Sequence, residues 1–398
     1  MSIKPLEGIK VLDFTNVLAG PYCSMLLANM GAEVIKVEKP GTGDDSRAFG
    51  PHINGESVYF LSINRGKKSF VCNTKTDEGR SVFKQLVEKV DVIVENLKPG
   101  ALERMGLGYE TLKQINPRLV YVSVSGFGHS GPYSPRPAYD MIVQAMGGII
   151  SITGEKGGNP VRVGTSVGDI VAGMYGAYGA LAALYDRKQT GLGQKVDIAM
   201  FDCQVAILEN AIAKFSATQI VPGPLGMRHP AIAPFEAFKT KTDPIIIACG
   251  NDNLFTRFCK EIDMPELIKD PRFISNANRT DHVDELSKII QKKLMESSTK
   301  EWMDILVKAG IPCGPINTIK NLFDDPQLQA RNMLVEVEQP NIGKVKVAGN
   351  PVKLSTVPVE NELPKDPAPA VGEHTTRILI DLLGYSEEEA NQYFKRFH

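Results

Sequence analysis

The 398 residues are 42% apolar and 23% charged, which excludes a disordered chain and leaves apolar mass for a sizeable core. A net charge of −1 provides no whole-protein field toward nucleic acid or an anionic membrane, so any anion site must be local. Six scattered cysteines (Cys23, Cys72, Cys203, Cys249, Cys259, Cys313) include no C-x-x-C pair, which fits reduced thiols in a cytoplasmic protein better than a disulfide framework or a zinc site.

The first residues, MSIKPLEGIKVLDF, lack the long apolar core and small-residue cleavage site of a signal peptide. Residues 9–14 (IKVLDF) read as a short strand. Residues 19–31 (AGPYCSMLLANMG) read as a helix with Pro21 near its start and Gly31 just past its end. AEVIKVE (32–38) is a second strand. SFVCN (69–73), the amphipathic helix 76–90 and DVIVEN (91–96) form a further unit, and LVYVSVSGFG (119–128) is the next strand. Short apolar strands alternating with amphipathic helices predict an α/β fold with a parallel sheet covered on both faces. The apolar run after Asp169 ends at Asp186-Arg187-Lys188, short of the roughly 20 residues a membrane span needs, and predicts a buried helix in close contact with its neighbours. The Pro/Gly-rich stretch 220–234 reads as a linker. Residues 236–250 read as two strands around a turn at 242–244, and 282–297 as a helix. AGIPCGPI (309–316) reads as a tight turn and return linker. The tail crosses through the proline-rich residues 363–375 and ends in a helix, opened by a capping box of Ser386 and Glu389.

The first strand–helix unit invites a dinucleotide reading, with Glu38 near the end of the second strand. Its turn, NVLAGPYC, lacks G-x-G-x-x-G, so the backbone cannot approach a pyrophosphate in that manner. The helix start can still receive an anionic or polar group. Lys39, Arg65, Lys67, Lys68, Lys75, Lys98 and Arg104 recur near strand ends, where a group of cations could hold a polyphosphate. In GTSVGDIVAGMYGAYGALAALY, Asp169 is the only charge. It fits a helix cap. It equally fits a carboxylate kept ionised by the helix start yet poorly hydrated by its apolar surround, which is a usable nucleophile. Tyr139 and Asp140 in RPAYDMIVQAMGG also form a capping pattern. The histidines make no metal constellation, and His129 reads as a loop residue.

Taken in order, GIKVLDFTNVLAGPYCSMLLANMGAEVIKVEKPGTGD, ENLKPGALERMGLGYETL, NPRLVYVSVSGFG, PAYDMIVQAMGG, VGDIVAGMYGAYGALAAL, TGLGQKVDIAMFD, AGIPCGPI and VGEHT make the chain resemble the class III (formyl-CoA transferase-like, CaiB-BaiF) CoA-transferases along nearly its whole length. The resemblance implies a Rossmann-like large domain from residues 1–220 and 321–398, a smaller inserted α+β domain at 221–320, and two subunits interlocked as rings. It implies Asp169 as a nucleophile that forms acyl-aspartyl anhydride and aspartyl-CoA thioester intermediates, with Asp140 and Tyr139 beside it. CoA contacts are implied at Val17, Leu18, Lys39, Cys72, Lys75, Asn96, Leu97, Lys98 and Arg104. Coenzyme A and acyl-CoA then act as substrates together with a carboxylic acid, and no permanently bound cofactor, metal, nucleic acid or membrane is implied.

The chain departs from formyl-CoA transferases in having Leu18 where they carry glutamine, and a shorter, glycine-poorer loop at 245–255. These departures point away from oxalate and formyl-CoA and toward a more apolar pocket for a larger acyl chain. Two other readings remain open. One is an α-methylacyl-CoA racemase, although Tyr139 stands where those enzymes have their histidine base. The other is a CoA-binding protein without catalysis, which leaves Asp169 without a purpose.

Overall fold

The computed structural model describes residues 4–397, which form two compact units. The first comprises the chain up to Ile150, Arg162–Ile220 and Pro326 onward; the second comprises Ser151–Val161 and Val221–Asp325.

The first unit is built on a six-stranded sheet of β1 (Lys10–Phe14), β2 (Glu33–Glu38), β3 (Lys68–Val71), β4 (Val92–Glu95), β5 (Val120–Ser125) and β6 (Lys195–Ala199), in spatial order β3-β2-β1-β4-β5-β6. Every pairing is parallel, from Lys10 opposite Glu33 at one end of the register to Ser125 opposite Ala199. β4 and β5 are buried throughout because both faces are covered. Alternation splits the strands between two cores. Leu12, Ile35, Ile93 and Tyr121 pack on one face with α3 (Asp77–Glu88) and the last helices of the chain. Val11, Val34, Val92 and Val122 pack on the other with α1 (Ala19–Asn29) and α5 (Val167–Thr190). Each such buried side chain contributes about 1.5–3 kcal/mol. α2 (Val58–Asn64) and α4 (Asp140–Met146) flank the carboxyl edge residues discussed below.

α5 is 24 residues long, so the helix runs through Asp186-Arg187-Lys188, where the sequence reading stopped, to Thr190. Gly191, at φ 75°, ends it. On length and composition alone the helix could cross a membrane. Here its glycines seat it on α1: an added Cβ at Gly173 would lie 2.8 Å from Ala19 O, and one at Gly176 3.1 Å from Cys23 Sγ.

The chain end closes the sheet. Val71 N donates to Thr375 Oγ1 (2.9 Å), His374 N to Ser69 O (3.0 Å) and Gly372 N to Ser69 Oγ (2.8 Å), so the edge strand β3 is covered. The final helix, α7 (Glu387–Phe397), opens on the expected Ser386–Glu389 box: Ser386 N donates to Glu389 Oε2 (2.9 Å), and Glu389 N to Ser386 Oγ (3.3 Å).

The second unit has an antiparallel sheet of β7 (Phe235–Phe238), β8 (Ile245–Ala248) and β9 (Cys313–Pro315), with β8 central. The turn expected between β7 and β8 is present. β9 corrects the reading of residues 309–316 as a turn. Ile311 is buried and Cys313 pairs with Ile247, while Pro315 is tolerated because β9 is an edge strand. A helix, α6 (Val283–Leu294), packs Leu286, Ile290 and Leu294 into a core with Phe238, Phe258 and Trp302. A hairpin of β10 (Leu334–Gln339) and β11 (Gly343–Ala348) in the first unit was not read from the sequence, although residues 335–338 and 344–347 alternate.

Candidate active site

The strand order reverses between β1 and β4, and a crevice opens beyond the carboxyl ends of the strands at such a point. Two asparagines span it reciprocally. Asn16 N donates to Asn96 Oδ1, and Asn96 Nδ2 donates to Asn16 O, both at 2.8 Å. After Asn16 the chain makes a corner at Val17, whose φ of 67° is left-handed and unusual for a β-branched residue. Such strain costs on the order of 1–3 kcal/mol and persists only where its surroundings hold it. Here Val17 N donates to Asp44 Oδ1 (3.1 Å), and Asp44 Oδ2 is paired with buried Lys36 (2.7 Å). Lys36 also donates to Thr15 O (3.1 Å). Behind it Asp13 takes Lys67 Nζ (2.9 Å) and Ser24 Oγ (2.6 Å). This buried web fixes the β1–α1 corner.

Two cavities share Asn16 and Leu97 as walls. The larger, about 310 Å³, is lined by residues that include Val17, Leu18, Asn96, Lys98, Arg136, Tyr139 and Asp169. The smaller, about 180 Å³, is lined by residues that include Lys39, Cys72, Lys75 and Asp44. Burial pushes the Cys72 thiol up to about 12, which makes it a neutral wall residue.

Asp169 is not the cap of its helix. Ser166 occupies the cap position without a side-chain bond, and Asp169 is the third helical residue. The acceptor for this helix start comes from α4 instead: Gly168 N donates to Asp140 Oδ1 (2.8 Å). Asp140 likewise does not cap its own helix. Its Oδ2 takes Gln144 Nε2 (2.7 Å), and Gln144 Oε1 accepts Val163 N (2.9 Å), which ties the approach to α5 to α4. Gly168 is required here. A Cβ there would meet Val143 Cγ2 at 2.7 Å and Asp140 Oδ1 at 3.0 Å. Asp140 is therefore busy, whereas the Asp169 carboxylate has no hydrogen bond or ion pair among the described residues. Burial, then the charge of Asp140, pushes Asp169 up to about 7. Tyr59 on α2 joins the group electrostatically. Burial and the charges of Asp169, Asp44 and Asp140 raise its phenol to about 12, so it stays protonated as a donor. The sequence reading missed Tyr59, because nothing in GESVYFLS distinguishes it from a core aromatic.

Of the site residues named from the sequence, Asp169, Tyr139, Val17, Leu18, Asn96, Leu97 and Lys98 line the larger cavity. Lys39, Cys72 and Lys75, with Leu97 again, line the smaller. Asp140 stands behind the wall as the acceptor described above. Arg104 is exposed and lines neither cavity. Lys39 is paired with Asp45. Three cations read as strand-end phosphate ligands are placed otherwise: Arg65 and Lys67 precede β3 and Lys68 is its first residue. Arg65 and Lys67 are buried, Lys67 bonding Asp13, Ser24, Asn64 and Pro21 O, while Lys68 pairs with Glu33. Glu38 is fully engaged by Arg47, Ser69 Oγ and Asp44 N, which leaves no oxygen for a ribose. Val17, Leu18, Val124 and Met200 share the larger cavity with Asn16, Asp45, Lys98 and Arg136, so its lining is mixed.

Residues 6–375 match the profile of CoA-transferase family III. The chain is 44% identical to the acetyl-CoA:oxalate CoA-transferase of Acetobacter aceti, covering 91% of this chain and 92% of that one. It is 42% identical to the human succinyl-CoA:glutarate CoA-transferase, covering 97% of this chain and 88% of that one. A solved CAIB/BAIF family protein from Brucella suis superposes with a TM-score of 0.83 at 38% identity, over 95% of this chain and 99% of the other. An unpaired carboxylate at a crevice between strands and a relationship spanning nearly the whole chain lead to one conclusion: this protein belongs to CoA-transferase family III and is a CoA-transferase.

Proposed function

We propose that the chain moves CoA between carboxylic acids by covalent catalysis on Asp169. The observation that carries this is the unpaired, under-hydrated Asp169 carboxylate facing a cavity of about 310 Å³. Ionised Asp169 attacks the donor thioester carbonyl and expels CoA thiolate, leaving an acyl-aspartyl anhydride. The thiolate returns to the aspartyl carbonyl, releases the donor acid and leaves an aspartyl-CoA thioester. The acceptor carboxylate displaces the thiolate again, forming a second anhydride. Attack of the thiolate on its acyl carbonyl then yields the new acyl-CoA and regenerates Asp169. The products and reactants contain the same bond types, so no external energy source is needed.

In this reading Lys39 and Lys75 at the smaller cavity take the CoA phosphates, Lys39 by exchanging Asp45 for phosphate. The pantetheine arm passes Asn96, Leu97 and Lys98 toward Val17 and Leu18, while Tyr139 and Tyr59 donate near the reacting oxygens. Arg104 belongs at the outer end of the phosphate site. The acceptor is a dicarboxylic acid, a class to which the named substrates of both relatives, oxalate and glutarate, belong. The reading extends to a dimer. Met174, Tyr178, Leu181 and Tyr185 form an exposed apolar stripe along α5, and Met141, Ile142 and Met146 are exposed on α4, a surface suited to a second copy.

Asp169→Ala should lower exchange at least 10³-fold, measured as labelled CoA transfer from acetyl-CoA or succinyl-CoA to a panel of acids. Hydroxylamine added during a single turnover should leave a hydroxamate on Asp169, read by peptide mass. A variant with full turnover would refute the covalent role.

A further inference from the structure

Arg136 is a cation of the larger cavity for which the covalent chemistry above has no use. Its guanidinium lies over the Tyr133 ring, 3.9 Å from the centroid, and Tyr133 in turn stands edge-on to Phe127 at 5.7 Å. Arg136 N also donates to Tyr133 O (2.9 Å), and Pro137 follows, so this planar fork is held on a stiff shelf. Among the described residues it forms no ion pair. The acid groups nearby are engaged elsewhere: Asp45 with Lys39 and Asn16, and Asp140 with Gly168 and Gln144. Nor does Arg136 neutralise Asp169. A guanidinium against that carboxyl would hold its pKa down, whereas it is pushed up. The two groups line one cavity of about 310 Å³.

A dicarboxylic acid presents that combination of needs. One carboxyl reacts at Asp169, and the other remains ionised and needs a cation at the cavity rim, where Arg136 is exposed. Resting on the transferase reading above, we infer that Arg136 is the specificity residue that holds the non-reacting carboxylate of a dicarboxylic acid. A bidentate guanidinium matches a carboxylate edge, and its stacking on Tyr133 limits the entropy lost on binding. The other cation of the cavity, Lys98, adjoins the Leu97 wall shared with the smaller cavity and so lies toward the CoA path.

The test uses glutarate and pentanoate, acids of equal chain length that differ in the second carboxylate, with acetyl-CoA as donor. In Arg136→Gln the ratio of kcat/KM for glutarate over pentanoate should fall about 30-fold or more, carried by the KM for glutarate. Arg136→Lys should recover part of the loss. An unchanged ratio overturns the inference, as does a rise in the KM for acetyl-CoA that is the same with either acid, which would place Arg136 on the CoA phosphates. If the wild-type chain transfers CoA to neither acid nor to any of the panel, the transferase reading itself fails. Transfer by the wild type with an unchanged ratio in the variant defeats only the role of Arg136.

Discussion

The proposed chemistry rests on one carboxyl group, Asp169, whose surroundings oppose its ionisation. In the proposed mechanism Asp169 attacks as the carboxylate, and burial with Asp140 pushes it up to about 7, so kcat/KM should fall as pH drops through about 7 and level off above it. Asp140→Asn keeps an oxygen for Gly168 N and removes the repelling charge, so the acid limb of the profile should move to lower pH. The same shift carries a stability cost. Asp169 holds its proton more tightly folded than unfolded, so its ionisation weakens the fold progressively from about pH 4 to about 7 and by a constant amount above that. Asp169→Asn should therefore fold and raise Tm by roughly 2–4 °C at pH 8, with a smaller gain at pH 5, in paired thermal melts. Asp169 was visible in the sequence as a lone charge in an apolar run. Its supports were not. Gly168, Gln144 and Tyr59 acquire meaning only through partners distant in the chain, and no local pattern announces them.

Among the elements, the strands of the parallel sheet were legible because continuous burial leaves apolar runs, as in Leu119–Val122. Residues 313–315 were not, since glycine and proline signal a turn unless a neighbouring edge is available to pair with. The corner between β1 and α1 shows a different kind of opacity: its shape depends on charges buried beneath it. Lys67→Met should leave Asp13 without its closest cation and cost about 3–5 kcal/mol in chemical denaturation. The junction of α4 and α5 is sensitive to one carbon atom. Gly168→Ala places a Cβ at 2.7 Å from Val143 Cγ2 and crowds Asp140. Turnover should then drop by about 10-fold or more and the melting temperature should fall with it, because the contact disturbed beside Asp169 also involves Val143, which is buried in the core on the α1 face of the sheet.

For the whole molecule, the relationship to known transferases set the reaction class, whereas the proposed dimer rests on surface the chain leaves uncovered. Met174, Tyr178, Leu181 and Tyr185 are spaced for one face of a helix and are all exposed. A second copy covering that face gives twice the chain mass in light scattering. Tyr178→Glu with Tyr185→Glu should shift the species toward the monomer and reduce CoA transfer with it.

The seam between β3 and the chain end has a temporal consequence. Val71 finds its hydrogen-bond acceptor 304 residues later, at Thr375. During synthesis the outermost strand must therefore wait, its edge bare, until some 304 further residues have been made. Emergence of residues 372–375, rather than any single turn or helix, becomes the moment at which the sheet is sealed, and chains stalled before Gly372 should be the ones that chaperones retain.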